Sequence, residues 1–176
     1  MVSKGKAGVP VELGVKVCIL EDQYQFILHH QVMQQKTDDQ VAVSMVMEAQ
    51  QRFANLNACS FAKGFHSPEN QRALKDQLER VALPRKGKLS HTAQAAQQSA
   101  AFIKARRAHS AVESAINALE VHGLDMCPDH GIGGFKRYVT EFMFSAQGAE
   151  KLFHSRPENT KFSVLHSMFE HAIFQK

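Results

Sequence analysis

At 176 residues and 44% hydrophobic content, the chain can build one domain with a real core, which argues against global disorder. Lys and Arg number 21 against 17 Asp and Glu, and the resulting +4 charge and pI near 9.0 suit a polyanionic partner rather than an acidic, solvating role. The three cysteines show no CxxC spacing, and no apolar run approaches the roughly 18 residues of a membrane span, so a cytoplasmic protein with reduced thiols is expected.

The first ten residues, MVSKGKAGVP, predict an irregular basic lead-in. Two apolar runs follow, Val11 to Leu20 and Tyr24 to Met33, separated by Glu21-Asp22-Gln23. Their period near two and their β-branched residues predict a hairpin whose second strand puts Phe26, Leu28, His30 and Val32 on one face. Thr37 is placed to cap a helix, with Val41, Met45 and Val46 recurring at helical spacing as far as Phe53. A short strand, Ala58 to Ala62, comes next. Ser67-Pro68-Glu69 is a strong helix start, and Leu74, Leu78 and Val81 form that helix's apolar stripe.

Val81 to Pro84 reads as a brief strand before the basic loop Arg85-Lys86-Gly87-Lys88. From Thr92 to Val121 the composition predicts one long helix, interrupted near His109-Ser110, with Val112, Ile116 and Leu119 inward and Gly123 as its stop. A loop from Asp125 to Gly134 leads to a last amphipathic helix, Phe135 to Ala146. Beyond Gly148 the periodicity weakens. The mixture predicts an α/β fold, with a mixed sheet that opens on an antiparallel hairpin.

Specific motifs add to this pattern. Gly5-Lys6, Pro10-Val11-Glu12-Leu13-Gly14, Glu21-Asp22-Gln23 and Phe26-Ile27-Leu28 come first, then Thr37-Asp38-Asp39-Gln40. Ser60-Phe61-Ala62-Lys63-Gly64-Phe65 precedes a helix, and Leu83 to Leu89 is a basic segment. Arg106-Arg107, His109, Glu113 and Asn117 form one block, and Gly123-Leu124-Asp125 with Gly134 to Val139 completes the series. In this order, over residues 5 to 139, the chain resembles the C-terminal part of the catalytic domain of DDE-type bacterial insertion-sequence transposases.

The resemblance implies a ribonuclease-H-like mixed sheet flanked by helices, truncated on its N-terminal side, with a helical C-terminal part. It divides the chain into a partial catalytic domain, 1 to 139, and a divergent tail, 140 to 176, that is read as helical. It also implies DNA transposition by a mobile element, in which three carboxylates hold two Mg²⁺ (or Mn²⁺) ions about 4 Å apart over the scissile phosphate. Hard cations require oxygen ligands, hence Asp and Glu.

Against that pattern, the first aspartate belongs upstream of this chain, the second position holds Ala62, and Glu113 alone keeps the catalytic and metal-binding residue type. Asp22 sits in the predicted hairpin turn and is a poor substitute. One carboxylate cannot hold a metal pair, so the chain is expected to lack strand cleavage. Losing the first strand is expected to leave a neighbouring edge exposed.

Partners implied are DNA (element ends and target) and, beyond it, a second copy or an intact transposase, in the nucleoid. Arg85, Lys86, Lys88, Arg106, Arg107, Lys136 and Arg137 are the DNA-binding candidates; Lys104 reads as a solvated charge. The plainer alternative is a DNA-binding or transposase-interacting protein without chemistry. The ten histidines carry no HExxH and are read as structural or surface residues. The glycines at 131, 133 and 134 follow no strand and make no nucleotide loop.

Overall fold

The computed structural model describes residues 15–24, 26–107, 109, 121, 123, 127–129, 131–146 and 163–170. The predicted hairpin is present as β1 (Val15–Asp22) and β2 (Ile27–Met33), but it turns later than the sequence indicates. Asp22 explains the shift. Its Oδ1 accepts the backbone N–H groups of Tyr24 (2.8 Å) and Phe26 (3.0 Å), so the side chain closes the turn and β1 runs through Glu21 and Asp22.

A bulge accompanies that turn. Leu20 pairs with His29 while Glu21 pairs with Ile27, leaving Leu28 as the extra residue. The single face predicted for Phe26, Leu28, His30 and Val32 is therefore split. Leu28 joins one core cluster with Met33, whereas Val32 packs against the cluster on the other side of the sheet.

Helix α1 (Asp38–Arg52) starts where Thr37 predicts, with the Thr37 N–H donating to Gln40 Oε1 at 2.9 Å. Strand β3 (Ala58–Phe61) ends in a 3₁₀ turn, Lys63–Phe65, and α2 (Pro68–Gln77) begins at Ser67, whose Oγ accepts the Asn70 N–H. Strand β4 (Arg80–Ala82) follows.

The predicted long helix breaks earlier than expected. Helix α3 (His91–Gln97), capped by Ser90, stops at Gln98, and helix α4 (residues 100–107) restarts from Ser99, whose Oγ accepts the Phe102 N–H. A second N-cap hydroxyl thus sets the break, ahead of His109. Helix α5 (Gly131–Ala146) begins one turn before Phe135. Gly131 stands at φ 73° and opens it.

Among the described residues beyond 139, helix α5 continues to Ala146 and Ser163–Glu170 form β5, so the expected helical tail is corrected at Ser163–Glu170. This last strand does not sit apart from the preceding domain. Sheet order is β2-β1-β5-β3-β4, with β5 in the centre, antiparallel to β1 and parallel to β3. The edge expected to be exposed by a missing strand is therefore paired. The chain is mixed α/β, as its pattern of strands and helices predicts.

Two apolar clusters hold the layers together. Cys18, Leu20, Phe61 and Leu165 meet Val41, Met45 and Val46 of α1 on one face. On the other, Val17 and Ile19 meet Phe135, Val139 and Met143 of α5. Burial pushes the thiols of Cys18 and Cys59 above their ordinary range, so both behave as inert core residues.

One close approach fixes how α1 meets the 3₁₀ turn. A Cβ at Gly64 would collide with Asp38 Oδ2, and the Asp38 carboxylate is itself held by Lys16 Nζ at 2.8 Å. Gly64→Ala should cost roughly 1–3 kcal/mol in urea unfolding, because either the carboxylate or the turn must move. Combining it with Asp38→Ala should recover part of that loss, whereas full additivity would show that the two residues do not crowd each other.

Candidate nucleic-acid interface

Because β3, β4 and β5 are parallel, and β1 is antiparallel to β5, the carboxyl ends of β3 and β4 lie beside the amino end of β1. Lys16, Asp38, Gly64 and Ala62 all belong to this end of the sheet. Two motifs that carry the family resemblance, the entry to α1 and the exit from β3, thus touch directly through Asp38 and Gly64.

Ala62 caps the 3₁₀ turn in extended geometry (φ −65°, ψ 155°). Its N–H donates to the Leu165 carbonyl at 3.3 Å, and its methyl group packs against the core. It offers no oxygen to a cation. Asp22 does not compensate, since it pairs with Ser163, which pairs in turn with Cys59. That register puts it about 10 Å along the strands and about 10 Å across them from Ala62. Its carboxylate is moreover buried and engaged in the hairpin turn.

Glu113 lies outside the described residues. Among those described, no group of three or more His, Cys, Asp or Glu could hold a metal ion. The residues present at the end of β3 do not fit the metal pair that the resemblance implies.

Helix α4 nevertheless reaches this part of the sheet. His109, helical and four residues before Glu113, has Nδ1 3.1 Å from Ser60 Oγ, two residues before Ala62. Ser60 is buried in β3 and faces away from Cys59, on the α5 side of the sheet. The contact is a positioning one. A hydroxyl this enclosed has no access to a substrate.

The basic loop after β4 joins the same end. Arg85, Lys86 and Lys88 are all exposed. His66, which follows the 3₁₀ turn, is held below its ordinary pKa by burial and then by the positive charges of Arg85 and Lys86. The start of the loop therefore lies near His66, just past the exit from β3. Arg106 and Arg107 are exposed on α4, and Arg85 and Lys104 line one groove along β4. Lys136 and Arg137 are exposed on α5, which packs on β1 rather than β4, and Arg137 donates to Asp129 Oδ2 at 2.9 Å. The seven basic candidates consequently divide into a β4–α4 group of five and an α5 pair.

Sequence reasoning missed Lys75, Arg80 and Phe102, which line the groove, and set Lys104 aside as solvated. Helical spacing links Phe102 to Lys104 only loosely, and nothing local to α2 points Lys75 at α4. The groove is a product of tertiary placement.

Two histidines make a pH-dependent contact away from this end. On β2, His29 Nε2 is 3.0 Å from Glu48 of α1, and His30 Nε2 is 3.2 Å from Thr140 of α5. Burial lowers the pKa of both; Glu48 partly opposes this for His29, while the charge of His29 adds to it for His30. Folding should thus be fully supported above the ordinary value of 6.5 and weaken as pH falls through the lowered folded values. Urea midpoints from about pH 8 to about pH 5 should fall, and His29→Asn with His30→Asn should flatten the slope. A midpoint that rises on acidification would contradict these directions.

No helix among the described residues is long and apolar enough to cross a membrane. Compared with family models, curated proteins and solved structures, the chain matches none.

Proposed function

We propose that this chain is a degenerate derivative of a DDE-type transposase catalytic domain, of ribonuclease-H-like descent, that binds DNA without cutting it. One observation carries the reading. Past the carboxyl ends of β3 and β4, the exposed cations Arg85 and Lys86 lie close enough to act on His66, just after the 3₁₀ turn that Ala62 caps, and Ala62 is where the family would hold a carboxylate. Phosphate attraction is retained there and the group that would hold a catalytic cation is gone. Ligand sites in α/β sheets commonly open at the carboxyl ends of parallel strands, which supports reading this end as the functional one.

His109 against Ser60 supports the same reading, because it brings α4, with Arg106 and Arg107, onto β3 just ahead of Ala62. Polar and basic side chains that hold phosphates position a duplex without reading its sequence, so non-specific binding is expected. A gel shift on arbitrary duplex DNA should show retardation at low salt that is lost as salt rises. Retardation unchanged by salt, or none at low salt, would defeat the reading.

A further inference from the structure

Beyond the surface just described, a groove of about 1000 Å³ runs along β4, between α2 on one side and α3 with α4 on the other. Its walls carry Lys75, Arg80, Arg85 and Lys104 against one carboxylate, Glu79, among the described lining residues. Its floor is apolar: Leu78 and Leu83 are buried, and half-buried Phe102 lines the same groove from α4. The Gln97 side-chain nitrogen lies buried in the lining without a partner among the described residues, leaving a hydrogen-bond donor unmet.

We infer that this groove binds single-stranded DNA, with a base against Phe102 and its phosphates on the lysines and arginines. The volume sits at the top of the roughly 300–1,000 Å³ range that encloses a drug-sized ligand, which suits one or two nucleotides and shuts out a duplex. Cations alone would serve any polyanion. Cations around an apolar floor with an aromatic ring suit a polymer that alternates phosphate and flat base, and every base offers a face to stack. A fatty or wholly apolar ligand would offer nothing to Lys75, Arg85 and Lys104, and a free inorganic anion would leave the floor empty.

The inference rests on the DNA-binding reading only in taking DNA as the polyanion. The test compares a labelled oligothymidylate of about 16 nucleotides with a duplex of equal length, by anisotropy, on the full chain. The strand should bind about tenfold more tightly than the duplex, and Phe102→Ala should cut strand affinity about tenfold while sparing the duplex. Lys104→Glu, an exposed change that does not threaten folding, should also weaken the strand.

Duplex binding with no preference for the strand would overturn the groove and leave the DNA-binding reading intact. Strand affinity unchanged in both variants would do the same. Strand binding that depends on Phe102, with no duplex binding, would uphold the groove and overturn the other reading. Competition by thymidine monophosphate at equal phosphate concentration would replace the strand with a free nucleotide and overturn the assignment.

Discussion

A chain ending at Ala146 should fail to show a cooperative unfolding transition. The last strand among the described residues lies at the centre of the sheet: β5 pairs with β1 from Val15↔Glu170 to Asp22↔Ser163, and with β3 from Cys59↔Ser163 to Phe61↔Leu165. Strands β1 and β3 are not neighbours in the sheet, so among the described residues no other strand joins the β1–β2 hairpin to the β3–β4 pair, and only the packing of α1 spans both. Removing β5 also uncovers Ile19, Leu20 and Phe61, all essentially inaccessible in the intact chain.

Uncovering three such side chains costs about 4.5–9 kcal/mol, comparable with the roughly 5–15 kcal/mol by which a domain is stable, and two unpaired edges add to it. Circular dichroism on heating should give a gradual slope, with strong binding of a hydrophobic dye. A milder version, Leu165→Ala, should lower stability by about 2–5 kcal/mol, since that side chain is fully buried in the main cluster. A sharp melt from the truncated chain would mean that β5 is an accessory.

Charge reversal should produce the other large effect. With Arg85, Lys86, Arg106 and Arg107 all changed to Glu, duplex affinity at low salt should fall by at least about 100-fold. Four phosphate contacts give a slope of about −3.6 in log affinity against log salt, or about a 100-fold loss between 50 and 200 mM. In the reversed protein that slope should flatten. Arg52→Glu, an exposed change in the last turn of α1, serves as a control and should leave binding unchanged. Equal losses from the control would point to net charge rather than a surface.

What the sequence disclosed and what it hid have physical causes. Short-range chemistry was legible: Thr37 and Ser67 announce their helices because their capping bonds, Thr37 N–H to Gln40 Oε1 and Asn70 N–H to Ser67 Oγ, act within three residues. The apolar runs of β1 and β3 were legible because both faces of a central strand are covered. Asp22 shows where local reading stops. Turn propensity placed it between two strands, while its side-chain hydrogen bonds let β1 continue through it.

The role of β5 could not be read from residues 163–170, whose position depends on two partner strands far away in the chain. Of the candidate site, the basic loop was legible as a run of charge and Ala62 as a break in a motif. Gly64 was legible as a motif position, but its reason, the Asp38 carboxylate, appears only in three dimensions. The groove was illegible, because its lining is drawn from α2, β4, α3 and α4, which meet only in three dimensions.

The central claim, binding without cleavage, meets its most direct test in one assay. Labelled duplex covering the DNA that flanks the chain's own reading frame is incubated with the unmodified protein, first with Mg²⁺ and then with Mn²⁺. Both retarded complexes and strand breaks are scored, and Ala62→Asp is run beside it. The account predicts salt-sensitive retardation and no breaks from either protein, although Ala62→Asp should bind Mn²⁺ more tightly through its added carboxylate. Metal-dependent breaks that a chelator abolishes, from the unmodified protein above all, would contradict the account and show that carboxylates already in this chain suffice.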